Sequence, residues 1–278
     1  MNKKQLLQYS LKYHPFSPDI PVEALYVTPA MEHFCWRVQT QLVGEGGFAL
    51  LTGDPGTGKS VTLRVLAAKL DTQRDVSVGA LEHATSSIAD FYREMGDIFG
   101  VTLKPHNRWG GFKGLRERWA AHIEATHIRP VLLVDEAQEM PPSVLNELRL
   151  LSSDRFDSRS LLSVVLAADN RLHQKLARED LLPLGSRIRV RLVLDAADKE
   201  TLSKSLIHLL SDAGNANLMT PELVQTLAEH AMGNHRILSA TAAELLAAAA
   251  HKDVAMLDES LYLEYFSARS TKRKRKAS

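Results

Sequence analysis

Eight consecutive residues, Gly53 to Ser60, read Gly-Asp-Pro-Gly-Thr-Gly-Lys-Ser. They fit the spacing G-x-x-x-x-G-K-[ST] at every fixed position. Glycines 53, 56 and 58 let the backbone turn its N–H groups onto phosphate oxygens. The N-terminus of a following helix adds partial positive charge at the same point. Lys59 would then reach the β- and γ-phosphates, and the Ser60 hydroxyl is a ligand for Mg²⁺. The chemistry is binding of a nucleoside triphosphate, ATP, with Mg²⁺, by Gly53, Asp54, Pro55, Gly56, Thr57, Gly58, Lys59, Ser60 and Val61. A second segment, Val131 to Gln138, reads Val-Leu-Leu-Val-Asp-Glu-Ala-Gln. It sets Asp135 and Glu136 at the carboxyl end of an aliphatic run, where parallel sheets bind their ligands. Asp135 would hold Mg²⁺ through water, and Glu136 would orient and deprotonate the attacking water. Alone, acids at the end of an apolar run often just begin a surface loop; the glycine-rich loop upstream gives this pair its meaning.

Both segments need a sheet to hold them. Apolar runs suited to strands occur at Phe48–Gly53, Val76–Glu82, Pro130–Glu136, Leu161–Ala167 and Ile188–Leu194. The middle ones are nearly continuous in aliphatic residues, as strands covered on both faces should be. Helical patterns lie between them at 58–70, 86–99, 111–126, 141–152 and 170–178, so the alternation predicts a parallel sheet with right-handed crossovers. From 195 onward only helix is expected: Asp198–Ala213, a capped start at Thr220-Pro221-Glu222, Arg236–His251 and Leu257–Phe266. Ile237, Thr241, Leu245 and Ala249 recur every fourth position as one packing stripe.

The chain has 278 residues, 45% hydrophobic and 24% charged, and one cysteine, Cys35. One cysteine excludes an internal disulfide framework and a Cys-based zinc site; Cys35 is expected to be a small buried hydrophobe. No apolar run approaches the roughly 20 residues that cross a bilayer, and the basic start lacks a signal-peptide core. A cytoplasmic setting is expected. Net charge is +1, but Arg269, Lys272, Arg273, Lys274, Arg275 and Lys276 supply six cations in the last ten residues. Such a tail is expected to be disordered.

With the two chemistry-bearing segments in place, the chain resembles the AAA+ ATPases, and within them the ExeA/TniB/MuB/TnsC branch. The resemblance covers roughly residues 10–250. It is carried by YHPFSPD…LYVTPAMEHFCWRV…GGFALLTGDPGTGKS, VLLVDEAQEMPPSVLNELRLLS, VVLAADNRLHQKL, LLPLGSRIRVRLVLDAAD and MGNHRILSATAAELL, in that order. It implies a P-loop AAA+ three-layer α/β core with a parallel sheet over 31–195. A small all-helical C-terminal lid would span 196–266, an N-terminal segment 1–30 would contribute to the adenine pocket, and a basic tail would span 267–278. By the resemblance, Phe16 and Tyr26 line the adenine pocket, with core packing as the alternative for each. Asp169 or Asn170 supplies the sensor-1 contact; Asn170 serves equally well as a helix N-cap. Arg187 matches the arginine finger, which acts on a neighbouring subunit's ATP, while Arg189 and Arg191 follow at period two, as residues on one face of a strand do. Arg236 matches sensor 2.

Three features point to duplex DNA as what the switch acts on. The first is the cationic tail, whose alternative is solubility. The second is residues 103–119, where Lys104, Arg108, Lys113, Arg116 and Arg118 oppose only Glu117. By position among transposition relatives, Ser86, Ser87, Lys104, Arg108 and Lys113 are the candidate DNA contacts. The third is the lack of the transmembrane helix and peptidoglycan-binding domain that ExeA secretion ATPases continue into. The resemblance then implies an ATP-dependent regulator of transposition and target selection, a homo-oligomeric ring or helical filament on DNA with a DDE transposase as partner. The alternatives are an ExeA-like secretion-assembly ATPase and a helicase-loader or replication-initiation ATPase.

Overall fold

The computed structural model describes residues 3–102 and 107–266. Five strands form one all-parallel sheet: β1 (Gly47–Gly53), β2 (Val78–Leu81), β3 (Val131–Val134), β6 (Ser163–Ala168) and β7 (Ile188–Leu194), in the order β2-β3-β6-β1-β7. A short antiparallel hairpin, β4 (Ser153–Asp154) and β5 (Arg159–Ser160), stands apart from it. The chain divides into two compact units. Of the described residues, one holds 27–54, 58–102 and 107–194; the other holds 3–26, 55–57 and 195–266.

In the first unit, β1, β3 and β6 are buried at every residue, the mark of central strands covered on both faces. Phe48, Leu50, Leu132, Val134, Val164 and Leu166 point to one side, into a core with Phe91, Met95, Leu115, Trp119, Leu145 and Leu148. The intervening Ala49, Leu51, Val131, Leu133, Val165 and Ala167 are buried on the other side, and the helices Pro29–Arg37 and Lys59–Asp71 pack beside the sheet. Three layers result. The edge strand β7 alternates instead: Ile188 and Val190 are buried while Arg189 and Arg191 are not. Those two arginines line one face of a strand. Cys35 is buried, and burial pushes its thiol up to about 11.

The second unit is built from helices Lys199–Ala213, Pro221–His230, His235–Lys252 and 259–266. Their starts are capped: Asp198 accepts from Thr201 N at 2.7 Å, Thr220 from Leu223 N at 3.3 Å, and Asn234 from Ile237 N at 3.1 Å, each satisfying an orphan donor. One isolated parallel bridge joins Met219 to Leu257. The expected packing stripe is corrected at one position. Thr241, Leu245 and Ala249 are buried, but Ile237 is 43% exposed and Leu238 takes the core position. A strict four-residue repeat drifts by ~40° per step on a helix of 3.6 residues per turn, so its far end rotates out of the core. The N-terminal segment packs into this same unit. Tyr9, Leu11 and Phe16 share its core, and the Tyr9 hydroxyl donates to Val254 O at 2.8 Å.

Candidate nucleotide-binding site

Within the sheet-bearing unit, β1 delivers Gly53 to the carboxyl edge of the sheet, and the helix Lys59–Asp71 begins only six residues later. Gly58 precedes that helix with φ +107, in the left-handed region that disfavours any residue with a Cβ. Thr62 closes the first helical turn by donating from its hydroxyl to Gly58 O at 2.9 Å. Lys59 is 6% exposed; its ammonium donates to Gly53 O at 2.8 Å and Asp54 O at 3.1 Å. The cation is thus pinned within its own loop rather than paired with a carboxylate.

Ser60 lies one residue on, and its hydroxyl donates to Asp135 Oδ2 at 2.7 Å. The loop and the β3 acids, separated by 75 residues, therefore meet directly. A hydroxyl beside a carboxylate is a hard-oxygen pair of the kind that holds Mg²⁺ together with waters and phosphate oxygens, so the donors fit that ion. Glu136 follows with φ +53, left-handed for a residue with a side chain. Strain of this kind persists where surroundings fix it and clusters at functional sites. Its N–H donates to Asp135 Oδ1 at 2.9 Å.

A residue without a role in the sequence reading completes the arrangement. Gln138 is 2% exposed; its amide NH₂ donates to Glu136 Oε2, and its amide oxygen accepts from Asp169 N at 3.1 Å. One buried side chain thereby ties the β3 acid to the end of β6. Lys175 donates to the Gln138 and Met140 carbonyls, the latter at 3.1 Å, bracing the same turn. Gln138 stands two residues after the acid pair, and nothing in a linear pattern signals its contact with a strand that begins 25 residues later. Gln138→Leu is expected to leave nucleotide affinity within about threefold while lowering the hydrolysis rate on the order of tenfold. Stopped-flow nucleotide binding beside steady-state phosphate release checks this.

The end of β6 resolves a second question. Asp169 Oδ1 accepts from Arg171 N at 2.9 Å, and Oδ2 from Arg171 Nε at 2.8 Å. Arg171 also meets Glu139 at 2.6 Å. Asn170 precedes the helix Arg171–Leu176 yet makes no side-chain cap. Its N-cap reading is replaced: Asp169 does the capping, and Asn170 is exposed.

Arg187 lies just before β7, whose Ile188 pairs with Phe48 and whose Leu194 pairs with Gly53. At ~3.3 Å per residue, the six steps from Gly47 to Gly53 along β1 separate Arg187 from its own loop by about 20 Å, beyond the reach of an arginine side chain. Here it binds Asp157 and Pro183 O.

The basic segment is more committed than its composition implies. Arg108 pairs with Glu147 through Nε at 2.9 Å and through Nη2, and the Tyr92 hydroxyl donates to the same carboxylate. Burial alone would raise the Glu147 carboxyl; the bonds from Arg108 and Tyr92 outweigh it and hold it below the ordinary value. Arg116 donates to Leu150 O at 3.3 Å and Leu151 O at 3.2 Å, to Ser153 O, and to Asp154 at 2.9 Å. Lys113 faces Glu117 at 3.7 Å on an exposed helix surface. Ser87 caps the helix Ile88–Phe99 by accepting from Asp90 N at 3.2 Å, and Ser86 donates to His83 O at 2.5 Å. Lys104 and the cations 269–276 fall outside the described residues.

In the helical unit, Phe16 sits in the core at 8% exposure, and Tyr26 meets the His208 ring edge-on at 5.7 Å. Asn234 donates to Pro55 O at 2.9 Å and His235 N to Gly56 O at 3.0 Å. Gly56 has φ +87, and a Cβ there would fall 2.1 Å from Asn234 Oδ1. Arg236 is exposed at the start of its helix.

Residues 42–176 match an AAA domain family. The chain is 30% identical over 236 residues to General secretion pathway protein A of Aeromonas hydrophila, covering 83% of this chain and 42% of that protein's length. Its structure is similar to Cdc6p from Pyrobaculum aerophilum, with TM-score 0.69, 16% identity, and coverage of 87% of this chain and 67% of that one. It is also similar to the Aeropyrum pernix ORC1 protein in complex with DNA, with TM-score 0.66, 18% identity, and coverage of 92% and 68%. The fold is a P-loop AAA+ core. The AAA+ domain and its relatives support a nucleotide-hydrolysing ATPase. Among the described residues, no helix is long and apolar enough to cross a membrane.

Proposed function

We propose that the chain is an ATP-dependent DNA-binding ATPase that oligomerises on duplex DNA and regulates transposition together with a partner transposase of the DDE type. The observation that carries the oligomeric part is the separation of about 20 Å between Arg187 and the Gly53 loop of the same chain. Released from Asp157, an arginine that cannot serve its own nucleotide would serve a neighbour's, where it offsets charge developing in the transition state. Ser60, and Asp135 through water, would hold Mg²⁺, which would supply positive charge to offset that of the triphosphate. Lys59 turns from its loop carbonyls to the phosphates, and Glu136, steadied by Gln138, takes the proton of the attacking water. Asn170, whose side chain is not spent on capping, is the better candidate for the sensor-1 contact. Arg236 is assigned to sensor 2, and Phe16 and Tyr26 to the adenine surroundings.

The DNA reading is supported by the excess of positive charge in the sequence of residues 269–276 and by a neighbour solved in complex with DNA. The bonds of Arg108 to Glu147 leave Ser86, Ser87, Lys104, Lys113 and the tail as the stronger candidates for backbone contact. A secretion-assembly role is the second reading, favoured by the 30% identity to General secretion pathway protein A.

Mixing tests the shared site. Arg187→Ala is expected to keep nucleotide affinity and lose hydrolysis about 10³-fold. Adding the Lys59→Ala chain, which contributes an intact finger, is expected to restore part of the rate. No recovery at any mixing ratio would mean that Arg187 acts within its own subunit or not at all.

A further inference from the structure

A pocket of about 450 Å³ opens at the amino-terminal ends of β1 and β7, lined by Arg129, Arg159, Arg187 and Arg189 with Glu45 and Asp157. This is the edge of the sheet opposite Gly53. Two of the four guanidinium groups have carboxylate partners: Arg189 meets Glu45 at 2.8 Å, and Arg187 meets Asp157. Arg129 instead donates to two neutral carbonyls, Gly44 O and Ser160 O, the second at 3.2 Å. Neither Arg129 nor Arg159 forms an ion pair among the described residues. Both are only partly exposed. Desolvation and the nearby Arg159 charge lower the Arg129 pKa, with Glu45 opposing them, so like charges are crowded here at a cost that an anion would relieve.

We propose that this pocket is a second anion site, separate from the Gly53–Ser60 loop, that takes a doubly charged phosphate group between Arg129 and Arg159. Guanidinium forks match the oxygen pairs of a phosphate. The pocket's net charge of +2 matches a phosphate monoester, which carries about −1.5 to −2 at pH 7. A backbone phosphodiester carries one charge and leaves half of the excess unmet. The volume also falls within the range of small-molecule pockets, about 300–1,000 Å³, so the phosphate can belong to a metabolite. The proposed finger, Arg187, is already held by Asp157 and is not required. The site rests neither on DNA binding nor on hydrolysis.

Isothermal titration calorimetry with orthophosphate and pyrophosphate tests it, using protein saturated with Mg²⁺ and ADP so that the P-loop is filled. One anion is expected to bind per chain. Arg159→Gln, which breaks no ion pair of the described residues, is expected to weaken binding about tenfold or more. Glu45→Gln removes a competing carboxylate and is expected to tighten it severalfold, a direction that a damaged fold would not give. A parallel titration with duplex DNA lacking 5′-phosphates is expected to be unchanged by Arg159→Gln. Absence of heat with both anions overturns the proposal, as does binding unaltered by both substitutions. Loss of DNA binding alone in Arg159→Gln would make the pocket a polynucleotide contact and overturn it too.

Discussion

Lys59→Ala is expected to remove measurable ATP binding at concentrations that saturate the wild-type chain. Charge-assisted contacts of an ammonium to phosphate contribute about 1.5–3 kcal/mol each in mutational series, so losing two costs on the order of 10²–10⁴ in affinity. Lys59 has a structural duty as well, since its ammonium satisfies Gly53 O and Asp54 O. Truncation leaves those carbonyls without that donor, so the thermal midpoint without nucleotide is expected to change by a few degrees at most. The decisive sign lies elsewhere: ADP and ATP should raise the midpoint of the wild-type chain and leave that of the variant still. Titration of a fluorescent ATP analogue measures the same loss directly. Wild-type affinity in the alanine variant would place the phosphates somewhere other than against Lys59.

The second large effect falls on the rate alone. Glu136→Gln keeps the shape and the contact with Gln138, because an amide oxygen can still accept the bond that the carboxylate accepts now. What disappears is the base. General-base removal lowers rates by about 10²–10⁴, while ATP affinity is expected to stay within about threefold. Single-turnover hydrolysis with radiolabelled ATP, beside equilibrium binding, separates the two quantities. A variant that hydrolyses at the wild-type rate would transfer the base role away from Glu136.

The strands that position these residues were legible because burial writes itself into composition. The run expected at Phe48–Gly53 is found at Gly47–Gly53, and the run expected at Pro130–Glu136 contains Val131–Val134. Strands covered on both faces leave only aliphatic residues available. The loop from Gly53 to Ser60 was legible for a different reason, since only glycine suits the left-handed turns at 56 and 58.

Other features carry no local signature. The β4–β5 hairpin turns through Arg155, Phe156 and Asp157, all with positive φ and none of them glycine. Side chains of these types do not advertise such a turn, so residues 153–160 carry no expected element between the helix at 141–152 and the strand at Leu161–Ala167. The bonds of Arg108 and Tyr92 to Glu147 join three separate helices. By composition alone, Arg108 looked like a free cation. The bridge from Gln138 to Asp169 depends on β3 and β6 lying side by side. Strand adjacency follows from the sheet order, which alternation of strands and helices leaves open. Which of Asp169 and Asn170 caps the helix Arg171–Leu176 turned on one hydrogen bond to Arg171 N, a matter of backbone geometry rather than residue type.

Coupling of nucleotide state to assembly on DNA is what the proposed function stands on, and electron microscopy of the purified chain with long duplex DNA measures it most directly. With ATP or a non-hydrolysable analogue, ordered rings or filaments are expected along the duplex, and with ADP only bare DNA. A chain that remains monomeric and off the duplex in all three nucleotide conditions would contradict that coupling.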